Sequence, residues 1–150
     1  MRTRKASAFT VAALIAGGVF AGAASAQATG LSPSPCEATA KACVSLSTKQ
    51  AWLQNPDGTT SYGPVPLTSG KPGSETPTGV FHVLWKDADH RSREFNNAPM
   101  PNSVFFTNTG VAFHEGSLKA QSNGCVHLST TAAKRFFDTL NQGDEVQVLP

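Results

Sequence analysis

Val104-Phe105-Phe106-Thr107-Asn108-Thr109-Gly110-Val111-Ala112-Phe113-His114 is the stretch that decides the fold class of this chain. Val104 to Thr107 and Val111 to His114 are rich in β-branched and aromatic residues and read as strands. Asn108-Thr109-Gly110 can reverse the chain tightly between them. The same pattern continues outward. Upstream, Cys43-Val44-Ser45-Leu46 and Gln50-Ala51-Trp52-Leu53 read as two strands, followed by the turn signal Asn55-Pro56-Asp57-Gly58. Gly79 to Trp85 reads as another strand, and Val146-Gln147-Val148 as a closing one. One helix is expected: Ser129 caps it, Ala133, Phe136, Phe137 and Leu140 recur at helical spacing, and Gly143 ends it. Many strands and one short C-terminal α-helix indicate a mainly β domain, a sandwich or small barrel. Phe81, Phe105, Phe113, Phe136 and Phe137 are expected in its core.

The N-terminus is of a different kind. Arg2, Arg4 and Lys5 precede an apolar stretch that runs to about Ala24, and Ala24-Ser25-Ala26 has the small residues that signal peptidase requires. Residues 1–26 therefore read as a secretory signal peptide, cleaved after Ala26. The protein is expected to be exported, to the periplasm or to the cell wall and extracellular space. Residues 27–42 read as a flexible leader, rich in Ala, Ser, Gly and Pro as far as Pro35. Residues 43–150 form the domain. Three of the twelve basic residues leave with the signal, so nine remain against ten acidic ones. That balance gives no electrostatic footprint for nucleic acid or for a polybasic membrane surface. A monomer is expected.

Three cysteines remain in an exported chain. Cys36 and Cys43 flank a short segment, and a disulfide between them is expected in an oxidising compartment. Pairing Cys125 with either one would remove its thiol. The four histidines show no metal-ligand spacing with the cysteines, so a zinc site is the weaker reading and no metal is expected.

Cys125, the odd thiol, lies in Ser122-Asn123-Gly124-Cys125-Val126-His127, eleven positions after His114. A thiol needs a base or a cationic neighbour to become a good nucleophile, and His114 at a strand end can supply the base. Gly124 allows an unusual backbone and lets N–H groups turn toward a developing oxyanion. A buried cysteine that serves as a small apolar residue fits the same facts, although polar Ser122 and Asn123 weigh against burial. If the segment is extended, His127 shares a face with Cys125. It could act as a second acid or base, contact substrate, or be an ordinary surface histidine.

Taken together, His114-Glu115-Gly116 and Ser122-Asn123-Gly124-Cys125-Val126-His127-Leu128 resemble the active-site signature of the L,D-transpeptidase family, the YkuD-type catalytic domain of bacterial cell-wall enzymes. Thr76-Pro77-Thr78-Gly79-Val80-Phe81 is similar to that family's Thr-Pro-x-Gly-x-Phe segment. Met100-Pro101 followed by Val104-Phe105-Phe106 is similar to its Met-Pro strand entry. The resemblance spans about Cys43 to Leu149.

The resemblance implies a YkuD-like β fold and a peptidoglycan L,D-transpeptidase. Cys125 would be its nucleophile and His114 its base, oriented by a backbone carbonyl near Glu115 or Gly116. Asn123 and Gly124 would lie at the oxyanion site, with Ser122 and His127 contacting substrate. The partners implied are peptidoglycan stem peptides, whose L-centre to D-alanine bond would be exchanged for a 3→3 cross-link, and carbapenems as inhibitors. Two alternatives are an L,D-carboxypeptidase that uses water as acceptor and a non-catalytic wall-binding domain. The chain departs from the family pattern at Asn123, where many members have histidine, and at His127, where many have arginine.

Overall fold

The computed structural model describes residues 31–150. The signal-peptide reading and the first leader residues fall outside that range. Nine strands and one helix follow in the order β1 (Ala42–Ser45), β2 (Gln50–Gln54), β3 (Thr60–Pro66), β4 (Gly79–His82), β5 (Trp85–Ser92), β6 (Ala98–Phe105), β7 (Ala112–Glu115), β8 (Val126–Leu128), α1 (Thr130–Thr139) and β9 (Glu145–Leu149). They form two sheets, one ordered β3-β2-β1-β9-β4 and the other β5-β6-β7-β8. The expected mainly β class is what the chain adopts.

The core lies between the sheets. Val44 and Leu53 of the five-stranded sheet meet Val104, Phe113, Val126 and Leu128 of the four-stranded one, and all are buried. Helix α1 packs across β6, β7 and β8 and buries Ala132, Ala133 and Phe136. An aromatic chain runs through this layer, with ring centroids 5.6 Å apart for Phe81–Phe106, 4.9 Å for Phe106–Phe113 and 5.0 Å for Phe113–Phe136. Such pairs contribute about 0.5–1.5 kcal/mol each beyond the area they bury. Ser129 caps the helix as expected, its hydroxyl accepting the Ala132 N–H at 3.2 Å.

Several element boundaries differ from the sequence reading. The expected strand from Gly79 to Trp85 is two strands in different sheets. Val83, buried between them, donates its N–H to Asp144 O, while the Leu84 N–H donates to Phe105 O, so the chain changes sheets at this point. The helix stops at Thr139 rather than at Gly143, because Leu140 turns extended and is fully buried. Gly143, with φ 92°, serves the turn into β9 instead. Strand β6 begins six residues before Val104. A tight turn closes its hairpin with β5: Asn96 and Asn97 are both left-handed, at φ 49° and 58°, and Ala98 N–H bonds Phe95 O at 3.0 Å. Asparagine is among the few non-glycine residues that tolerate this region.

The disulfide Cys36–Cys43 is present as expected, with Cα atoms 5.8 Å apart. The leader assignment needs correction over its later part. From Ser34 onward the chain is tied to the five-stranded sheet. Ser34 N–H donates to Thr60 Oγ1 at 3.1 Å, Glu37 N–H to Gln147 Oε1 at 2.9 Å and Lys41 N–H to Glu145 O at 2.8 Å. These backbone groups have protein partners, which is the condition for a segment to belong to the fold.

Candidate active site

Strands β7 and β8 run parallel, with Phe113 opposite Val126 and His114 opposite His127. Side chains alternate along a strand. Phe113, Val126 and Leu128 fill the core, so Ala112, His114, Cys125 and His127 fall on the other face of the same sheet. That face forms one wall of a cavity of about 730 Å³. The β5–β6 hairpin continues the same sheet and forms the adjoining wall through Trp85, His90, Met100 and Phe105.

His114 is 6% exposed, and its Nδ1 lies 2.7 Å from Glu115 O. A carbonyl oxygen only accepts, so Nδ1 carries the proton and the lone pair of the neutral ring is on Nε2. Burial lowers its pKa from the ordinary 6.5 to about 4. The hydrogen bond to Glu115 O opposes that shift, and nearby His127 and His90 add to it. Cys125 packs against Met100, Phe105 and Ala112, with Sγ 3.7 Å from Gly110 O. Burial raises its thiol pKa; a backbone hydrogen bond from Ala112 partly offsets this, and the charge of Glu94 adds to it. Both groups are thus held in their neutral forms, a thiol and an imidazole on one wall.

His127 packs edge-on against His114, with centroids 4.8 Å apart, and its Nδ1 lies 3.2 Å from Ser117 O and 3.3 Å from Thr68 Oγ1. Gly116 makes room for it. A Cβ there would come within 2.5 Å of the His127 ring. The ring therefore rests on a backbone without side chains, and overpacking at such a point costs about 1–3 kcal/mol.

Ser122, expected to contact substrate, lines the cavity but turns its hydroxyl inward. It accepts Gly124 N–H at 3.0 Å and donates to Cys125 O at 2.5 Å. The hydroxyl thus shapes the turn that carries the cysteine. Gly124 is buried at φ 120°, a conformation that side chains rarely adopt. Its N–H is already given to Ser122, so it is not free to meet an oxyanion. Asn123 is exposed and lines the cavity.

The roles of several residues at the site were not legible in the sequence. Thr76 is buried 48 positions from Gly124 in the chain, yet its Oγ1 donates to Gly124 O at 2.7 Å. Asp87 Oδ2 lies 3.2 Å from His90 Nδ1. His90 stands nearly perpendicular to a stacked Trp85–Phe105 pair whose rings are 3.8 Å apart. Strand alternation separates positions 87 and 90. Left-handed Asn102, at φ 56°, interrupts the regular ladder opposite them. Only the Asn96-Asn97 turn signal could have announced the hairpin that carries this wall.

Comparison with known proteins agrees with this geometry. A family model described as the L,D-transpeptidase catalytic domain, YkuD, matches residues 39–148. Among solved structures, the chain is similar to an L,D-transpeptidase from Stackebrandtia nassauensis, at 27% identity and a TM-score of 0.68, over 73% of this chain and 54% of that one. It is similar to Mycobacterium tuberculosis L,D-transpeptidase 1 at 26% identity and a TM-score of 0.61, over 73% and 60% of the two chains. It is also similar to the LD transpeptidase LdtMt1 solved in complex with imipenem, at 25% identity and a TM-score of 0.64, over 72% and 57%. The matched region thus spans little more than half the length of these solved relatives. No curated protein sequence matches. With nearly three quarters of its residues matched by the family model and a two-sheet fold shared with these structures, the chain belongs to the YkuD family of L,D-transpeptidase catalytic domains.

Proposed function

We propose that this protein is an exported peptidoglycan L,D-transpeptidase that works through an acyl-enzyme on Cys125. One observation carries the reading. His114, fixed as the Nδ1–H tautomer by Glu115 O, keeps a free lone pair on Nε2 and lines the same cavity wall as the sole free thiol among the described residues. A neutral base beside a neutral thiol suits proton transfer during attack rather than a standing ion pair.

The donor is a stem tetrapeptide. Nε2 of His114 takes the Cys125 proton as Sγ attacks the carbonyl carbon between the L-centre and D-alanine. The tetrahedral oxyanion is met by the backbone N–H groups of Asn123 and Cys125, since Gly124 N–H is held by Ser122. The C–N bond then breaks, and His114 passes its proton to the departing D-alanine amine. A thioester remains on Cys125. The side-chain amine of a neighbouring stem attacks it, loses a proton to His114 and forms the 3→3 cross-link, while the thiol is restored. The cleaved amide carries its energy into the thioester, so no nucleotide is required. His127, seated on Gly116 beside His114, contacts the donor stem. Carbapenems acylate the same sulfur, as the imipenem complex of a relative suggests.

The test is to incubate the chain from Gln27 onward with a tetrapeptide stem, with and without an amine acceptor, and to follow peptide and protein masses. An adduct on the wild type but not on Cys125→Ala, followed by a cross-linked dimer, is the expected result. Tripeptide release without dimer would make the protein an L,D-carboxypeptidase. A Cys125 left unmodified by both stem peptide and imipenem would overturn the catalytic reading.

A further inference from the structure

Thr76 lies outside the cavity lining and is 3% exposed, yet its hydroxyl bonds directly to the turn that carries the nucleophile. Oγ1 accepts Gly70 N–H at 3.0 Å and donates to Gly124 O at 2.7 Å. The strap that holds Thr76 is itself locked to the same turn. Ser122 N–H donates to Ser69 O and Lys71 N–H to Ser122 O, each at 3.0 Å. Gly70 admits no side chain, since a Cβ would sit 2.0 Å from Ser74 O and 2.7 Å from Thr76 N. The strap and the nucleophile turn therefore form one hydrogen-bonded unit.

A planar trans peptide points its C=O and its N–H in opposite directions. Fixing Gly124 O on a buried hydroxyl therefore fixes Cys125 N–H on the far side of that peptide, away from Thr76. Cys125 lines the cavity on that side, whereas Thr76 and Gly124 do not. Gly124 N–H is meanwhile held by Ser122 Oγ. We infer that Thr76 is a positioning residue for the oxyanion site: its hydroxyl sets the plane of the Gly124–Cys125 peptide and thereby aims Cys125 N–H at the developing oxyanion. The inference rests on Cys125 being the acylated nucleophile, and goes beyond that reading by assigning the group that orients its oxyanion donor.

The consequence is selective. Acylation builds an oxyanion and needs an aimed N–H. Alkylation of the same sulfur by iodoacetamide displaces iodide at a saturated carbon and needs none. Thr76→Val keeps the shape and removes the hydroxyl, and Thr76→Ser keeps the hydroxyl.

Rates of Cys125 acylation by imipenem and by a tetrapeptide stem, and of alkylation by iodoacetamide, are measured on wild type and both variants, with melting temperatures recorded alongside. Loss of a whole oxyanion donor lowers turnover by about 10²–10³-fold, so mis-aiming one is expected to slow acylation roughly 10–100-fold in Thr76→Val. Alkylation should stay within about twofold of wild type on the same scale, and Thr76→Ser should recover most of the acylation rate. Equal acylation in wild type and Thr76→Val would overturn the inference. So would acylation and alkylation falling together, which marks a merely structural role, or a Thr76→Ser variant as slow as Thr76→Val. A wild-type Cys125 that is alkylated but never acylated would instead overturn the parent reading, and this one with it.

Discussion

The two walls of the cavity are built on opposite plans. The wall carrying Cys125 and His114 is made of short strands with one face in the core, and its loops are cross-braced by Ser122, Thr76 and the 69–71 backbone. The adjoining wall is one long hairpin, β5–β6, with an exposed Asn96-Asn97 tip and a half-exposed Trp85 stacked on Phe105. In the first wall burial strengthens the preference of the Cys125 thiol and the His114 ring for their neutral forms. The second offers aromatic surface and side chains open to solvent, which suits it to contact the rest of a substrate. On the proposed function, chemistry falls to the first wall and recognition to the second.

The largest predicted effect tests the reactive wall. His114→Ala should lower the rate of Cys125 acylation by roughly 10²–10⁴-fold, the span usual for a positioned general base. A loss under tenfold would place the base elsewhere.

The same residue makes stability fall in acid. Above pH 6.5 His114 is neutral in both the folded and the unfolded chain and contributes no pH dependence. Between 6.5 and about 4 the unfolded chain takes up a proton that the folded one cannot, so stability is lost as pH falls through this window. The full loss is about 3 kcal/mol, reached near pH 4. Urea midpoints at pH 7.5 and 4.5 should show that drop in wild type and a shallower one in His114→Ala. Equal drops would mean that the ring is not shielded.

The recognition wall predicts smaller effects of another kind. Lys86 on β5 donates from Nζ to Phe137 O at 2.7 Å and to Leu140 O at 2.6 Å, supplying the positive charge that the last turn of α1 lacks. Lys86→Met should cost about 2 kcal/mol in stability while leaving the alkylation rate of Cys125 unchanged. A change in thiol reactivity would show the two walls to be coupled. Asn97→Ala forces alanine into the left-handed region at a cost of about 1 kcal/mol, which Asn97→Gly should avoid. It should raise the KM for the stem peptide more than it lowers kcat. A pure kcat effect would give the hairpin a chemical role.

The sequence announced the reactive wall more fully than the recognition wall, for a physical reason. Cys125, His114 and Gly124 lie within twelve residues, and each carries its own chemical signal. The alternation of the Val111–His114 strand sorts core from cavity without further help. Asp87, His90 and Trp85 show no such pattern, since their meeting depends on an irregular ladder. Thr76 shows in the sequence only as the start of a family-like segment, with no role attached, because its partner is 48 residues away. Local signals reveal strands, caps and the disulfide. They do not reveal a hydroxyl whose role depends on tertiary packing, nor a strand such as β3, whose Thr60–Pro66 run includes Gly63 and two prolines.

Strand β9 holds a consequence for the order of folding. It follows every other element in the chain, yet it lies inside the five-stranded sheet, parallel to β1 on one side and antiparallel to β4 on the other. A partly synthesised chain therefore has β1 and β4 with unsatisfied edges and no way to join them. Pairings this distant in sequence close slowly, because loop entropy must be overcome before any contact rewards it. The five-stranded sheet can close only after residues 145–149 exist, so β1 and β4 wait for β9 while the β5–β8 sheet can form without it.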